Sequence, residues 1–197
     1  MKKLVHSVGI NDANYKTSKY ERIEGKQKLV WRCPFYTKWV SMIQRCYSVK
    51  HQERLPTYKD CVVVEDWKTF SNFRSWMINQ DWAGNDLDKD ILIKNNKVYS
   101  PETCVFIPQT VNKFLLDSGA SRGNYPIGVS FNKKDGKFHS HCCNPFTKKY
   151  EYLGCFTCPN EAHLAWKSRK QKLALELADS VYVGDSRVKL ALKTRYI

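Results

Sequence analysis

The chain has 197 residues, 42% hydrophobic and 13% aromatic, which suits one ordinary domain or two small ones and excludes a disordered chain. Lys+Arg number 33 against 19 Asp+Glu, a net charge of +14, so the composition suits a polyanionic partner, either nucleic acid or an anionic membrane surface. No apolar run approaches spanning length and the start MKKLVHSVGIND is too interrupted for a signal peptide, so membrane insertion and secretion are set aside and the cysteines are expected as reduced thiols in a cytoplasmic protein.

Residues 1–30 are polar and basic without a sustained period, and predict an arm lying along the surface or along a ligand. A helix follows from Pro34, with Phe35, Trp39, Ile43 and Cys46 at helical spacing and Met42 widening the stripe. CVVV at 61–64 predicts a short strand. EDWKTFSNFRSWM then places Trp67, Phe70, Phe73, Trp76 and Met77 on one helical face, the pattern of a core. LDKDIL at 87–92 predicts a strand, KNN a basic turn, YSPETC a second turn, VFIP a strand, and a helix begins near Gln109. DSGASRGNY at 117–125 is the clearest boundary. Beyond it, three strand-like runs separated by KKDG and NPFTKK lead into a helix with Pro159 in its first turn, and a last short helix closes the chain.

Cysteines stand at 33, 46, 61, 104, 142, 143, 155 and 158. The single CxxC, Cys155–Cys158, has no second pair to complete a zinc site. Cys33, Cys46, Cys61 and Cys104 have two readings: a structural Zn²⁺ held by four thiolates, or small apolar residues of the core.

In the tail, alternation puts Lys137, His139, His141 and Cys143 on one face of the middle strand, with Phe138, Ser140 and Cys142 on the other. Ser130, Asn132, Tyr150 and Tyr152 join the polar face, while Val129 and Leu153 join Phe138 against the helix. Such a face suits a major groove, with lysines on phosphates and polar tips on base edges. The stretch GVSFNKKDGKFHSHC…YEYLGCFTCPNEAHLAW resembles the plant ethylene-response-factor (APETALA-type) DNA-binding domain over about 126–172. The resemblance implies a three-stranded antiparallel sheet packed on one helix. It also implies base-reading roles for Ser130, Asn132, Lys134, His141, Cys143, Tyr150 and Tyr152, where that family carries mainly arginine and tryptophan.

Metal-dependent DNA cleavage needs a divalent cation on the scissile phosphate and a base for water. In the order strand, turn, strand, helix, Asp88 and Asn112 are the residues that would converge on one ion. LDKDIL…YSPETCVFIPQTVN resembles the HNH (ββα-metal) endonucleases, with SPETC standing for that family's N.PENL and Ser100 for its asparagine. The resemblance implies Asp88 and Asn112 as ligands of Mg²⁺ or Mn²⁺, and puts Lys89 where the family has its general-base histidine. Lysine serves as a base only when desolvation or neighbouring positive charge lowers its pKa. Otherwise Asp90 or His51 supplies the base and Lys89 grips phosphate; a salt-bridged strand end with no ligand is the remaining reading.

With W..M..RCY at 39–47 and PTY..C.V…W..F..F..W at 56–76, the layout over about 31–178 is similar to bacteriophage HNH-type homing endonucleases with an APETALA-type tail. This implies an α+β chain comprising a basic arm (1–30), a ββα-metal-like nuclease domain (31–116), a linker (117–125), an APETALA-type domain (126–178) and a C-terminal helix (179–197). It also implies a phage protein acting on double-stranded DNA in the host cytoplasm. The alternatives are a nuclease-derived DNA-binding protein without catalysis, acting as a repressor or host-interference factor, and an RNA-binding protein.

Overall fold

The computed structural model describes residues 4–117 and 124–197, so most of the expected linker at 117–125 lies outside the described residues. Helices and small sheets combine in an α+β fold that divides into two compact units, Met1–Phe106 and Ile107–Ile197. Among the described residues, no helix is long and apolar enough to cross a membrane.

In the first unit, the segment expected as an aperiodic arm is folded: Ile10 bridges to Thr69 beside the core, and a ribbon follows. β1 (Ser18–Ile23) and β2 (Lys26–Arg32) pair antiparallel across the loop Glu24–Gly25. Both loop residues have positive φ, 52° and 76°, which matches the twist of the flanking strands. α1 (Pro34–Tyr47) starts on a proline whose missing N–H costs nothing at a first helical turn, and buries Tyr36, Trp39, Met42, Ile43 and Cys46. α2 (Val49–Arg54) follows directly, and Ser48 Oγ accepts from the His51 amide at 3.4 Å to cap it.

Facing α1, α3 (Phe70–Met77) contributes Phe70, Phe73 and Met77 to the core, and Trp67 joins from the short 3-10 turn Glu65–Lys68. Trp39 Nε1 donates to the Trp67 carbonyl at 2.8 Å, so burying this indole leaves no unsatisfied donor. β3 (Val62–Val63) and β5 (Val98–Tyr99) pair parallel, and β4 (Asn85–Asp88) pairs with β6 (Val105–Pro108). The β4 strand therefore ends at Asp88, and Lys89 already stands in a turn.

In the second unit, α4 (Gln109–Leu115) precedes β7 (Val129–Asn132), β8 (Lys137–Cys143) and β9 (Tyr150–Phe156), which pair antiparallel in that order. α5 (Pro159–Ala178) lies against this sheet and α6 (Ser186–Thr194) packs on α5. Gly128, just before β7, has φ of 83°, and a Cβ there would stand 2.1 Å from the Trp166 ring, so both its backbone and its neighbour demand glycine. Lys170 points inward from α5, 7% exposed, donating to the Phe114 carbonyl at 2.6 Å with Nζ 3.5 Å from the centre of the Phe114 ring.

Candidate nucleic-acid interface

Strand register brings most of the tail residues singled out in the sequence to one face of the β7–β8–β9 sheet. Ser130 lies opposite His139, Asn132 opposite Lys137, His141 opposite Tyr152 and Cys143 opposite Tyr150. Tyr152 is the hub of this face: its ring centre is 5.5 Å from that of His139 and 5.3 Å from that of His141. Tyr150 is 77% exposed and Tyr152 56%. Cys155 also joins the face, opposite His139; the irregular register between Ser140 and His141 moves it there, and strict alternation does not reveal it. Lys134, in the β7–β8 connection, is exposed at the sheet's end beside Lys133 and Lys137, and Lys148 and Lys149 are exposed at the β8–β9 connection.

Acids are largely kept off this face. Glu151 points to the other side, where Arg169 of α5 donates to it at 2.6 and 3.0 Å and Asn144 at 2.7 Å; these bonds hold its carboxyl at about 2. Asp135 sits in the β7–β8 turn with one oxygen 2.7 Å from His139 Nε2. Against a desolvation cost, the His139 contact and the Lys137 amide keep that carboxyl below its ordinary range. A pocket of about 560 Å³ adjoins the face within the same unit, sharing His141 and Tyr150 and adding Lys113, Lys148, Lys170 and Trp166.

At the first unit's turn, the side chains serve the backbone. Asp88 Oδ1 accepts the amides of Asp90 at 2.8 Å and Ile91 at 2.7 Å. Burial raises the Asp88 carboxyl above its ordinary range; those two amides oppose the shift. Lys89, 5% exposed, sends Nζ to Asp90 Oδ1 at 2.7 Å, Asp90 Oδ2 at 2.8 Å and the Asn96 carbonyl at 2.6 Å. An ammonium has three hydrogens, and three acceptors surround this one. Asn96, which no sequence motif marks, bonds the carbonyls of Lys89 and Val98 at 2.8 and 2.6 Å and closes the loop. Ser100 and Thr103 tie the YSPETC turn, with Thr103 Oγ1 donating to the Val98 carbonyl at 2.7 Å.

Around the one-metal site expected from the sequence, the side chains of Lys89 and Asp90 are committed to one another. Lys89 has no lone pair to offer water while it donates to three acceptors, and both Asp90 oxygens are taken up by it. Asn112 belongs to α4 of the second unit. Among the described residues, no group of three or more His, Cys, Asp or Glu is placed to hold a metal ion. His51, the other base candidate, lies in α2; burial, with Arg54 and Arg45 nearby, lowers its pKa.

The same finding bears on the four-thiolate reading. Cys33, Cys46, Cys61 and Cys104 are all free and buried in the first unit's core, but they do not assemble into a metal-holding group. Desolvation pushes Cys46 and Cys104 up to about 12, so in this core they are protonated, apolar thiols. No family model, curated protein or solved structure matches the chain.

Proposed function

We propose that the chain is a duplex-DNA-binding protein, derived from an HNH-type homing endonuclease with an APETALA-type tail, that grips DNA through the open β7–β8–β9 face. The observation that carries this reading is the cluster of His139, His141 and Tyr152 in register on an exposed sheet bordered by lysines, with Glu151 turned away and neutralised. Three strands about 4.8 Å apart make a platform roughly 10 Å across, which suits a major groove about 12 Å wide. Lysines at the strand ends then meet phosphates, while His141, Tyr150 and Tyr152 meet base edges; Asn132 and His139 are held in place by Asp135 and the Lys134 amide. A repressor or host-interference role follows from binding without cleavage.

The test is anisotropy of a labelled duplex pool with wild type and with His141→Ala/Tyr152→Ala, competed with RNA. Binding that the double substitution leaves intact, or that RNA displaces more readily than DNA, contradicts the proposal.

A second reading, the Mg²⁺- or Mn²⁺-dependent endonuclease, is favoured by one observation. Asp88 is a desolvated carboxylate whose second oxygen carries no hydrogen bond among the described residues. Sequencing the ends of DNA incubated with wild type and with Asp88→Ala tests it: metal-dependent ends made by wild type and abolished in the variant establish cleavage at this turn, and the absence of new ends removes it.

A further inference from the structure

The β1–β2 hairpin in the first unit is exposed at every position but Ser18, which is half-buried. A two-stranded ribbon is marginal on its own, and this one leaves Tyr20, Ile23, Leu29, Val30 and Trp31 open to water. Register divides its side chains between two faces. Tyr20 pairs with Leu29 and Arg22 with Gln27 on one face; Lys19 pairs with Trp31, Glu21 with Lys28 and Ile23 with Lys26 on the other.

Arg22 and Gln27, directly opposite one another, are residue types that read guanine and adenine through paired hydrogen bonds. Arg22 spends only Nε, on the Gly25 carbonyl at 3.3 Å, and the Gln27 side chain makes no hydrogen bond among the described residues. On the opposite face Lys19 lies over the Trp31 ring at 5.9 Å and Lys28 pairs with the highly exposed Glu24, at 3.2 Å.

We infer that this ribbon is a second DNA-reading element: it enters a major groove with the Arg22–Gln27 face toward base edges, while Lys19, Lys26 and Lys28 neutralise flanking phosphates. A groove about 12 Å wide admits a two-stranded ribbon. Cations on both faces favour a polyanion over a second copy of the same basic chain, which would bring like charges together. The inference rests on the reading of the protein as a duplex binder, and adds a DNA-touching surface on a different unit from the sheet.

Because the substituted side chains are exposed, the variants keep the fold, which circular dichroism checks. Salt titration of duplex binding and footprinting are run on wild type, Lys19→Ala/Lys26→Ala/Lys28→Ala and Arg22→Ala/Gln27→Ala, with His141→Ala/Tyr152→Ala for comparison. The triple variant is expected to lower the slope of log K against log salt by about 0.9 for each phosphate left without its lysine. The Arg22/Gln27 variant is expected to keep that slope, to lose roughly 10-fold or more in preference between a selected and a random duplex, and to shorten the footprint on one side. Wild type that binds no duplex overturns this inference together with the proposed function. Duplex binding in which both hairpin variants match wild type in slope, preference and footprint overturns this one alone. So does sedimentation showing a dimer that the hairpin substitutions dissociate, because the ribbon's occupant is then a second copy.

Discussion

Lys89 Nζ sits 2.7 and 2.8 Å from the two carboxylate oxygens of Asp90, and this pair occupies the position where the HNH resemblance calls for a general base. The pairing requires that the strand end at Asp88. Had it continued, adjacent residues would point to opposite faces. The turn that Asp88 nucleates by accepting two amides swings Lys89 and Asp90 together, and Asn96 locks the return.

Removing Lys89 therefore acts on stability. Lys89→Ala is expected to cost on the order of 2 kcal/mol, because the Asn96 carbonyl loses its donor while Asp90 stays partly open to water. Thermal melting should fall by several degrees while duplex affinity stays within about twofold of wild type. An unchanged melting temperature together with abolished DNA cleavage would instead mark Lys89 as a catalytic group.

Gly128→Ala tests the seat of the sheet on α5. Positive φ costs an alanine about 1–2 kcal/mol, and the 2.1 Å approach to Trp166 adds to it, so the loss should exceed about 2 kcal/mol in chemical denaturation. A change below about 0.5 kcal/mol would show that Trp166 swings away freely.

Burial lowers Lys170 from 10.5 to about 8. Between those two values the unfolded chain binds the extra proton, so unfolding free energy rises with pH through that window; below about 8 the cost of the buried ammonium is fully present, on the order of 3 kcal/mol. Lys170→Met should flatten this rise relative to wild type and should not lower the melting temperature at pH 7. A variant that melts several degrees lower at pH 7, with the same slope from pH 8 to 10, would show that the bond to Phe114 outweighs desolvation.

These residues also mark how far the sequence can be read. The helix from Pro34 and the alternation along 137–143 are legible, because apolar period and turn chemistry act locally. The hairpin at 18–32 is hidden because Glu24 occupies a left-handed turn position where asparagine or aspartate is usual, and its strands bury nothing to give them a period. Lys170 is illegible for another reason: a lysine in a helix reads as surface, and its burial is made tolerable by the carbonyl and ring of Phe114, distant in sequence, with the Trp166 and Tyr196 rings beside it. The chemistry of LDKDIL is ambiguous because Asp88 has the same sequence context as a metal ligand or as a turn former. Only the two amides on Oδ1 decide what that oxygen does in this structure.

Removing charge at the end of the β7–β8–β9 sheet tests the central claim most directly. The measurement is a salt titration of duplex-DNA binding by wild type and by Lys133→Ala/Lys134→Ala/Lys137→Ala. Duplex binding through this sheet predicts a steep loss of wild-type affinity between about 50 and 200 mM salt, and a slope lower in the variant by about 0.9 for each phosphate left without its lysine. Wild-type binding that does not weaken with salt, or a variant with an unchanged slope, would contradict it.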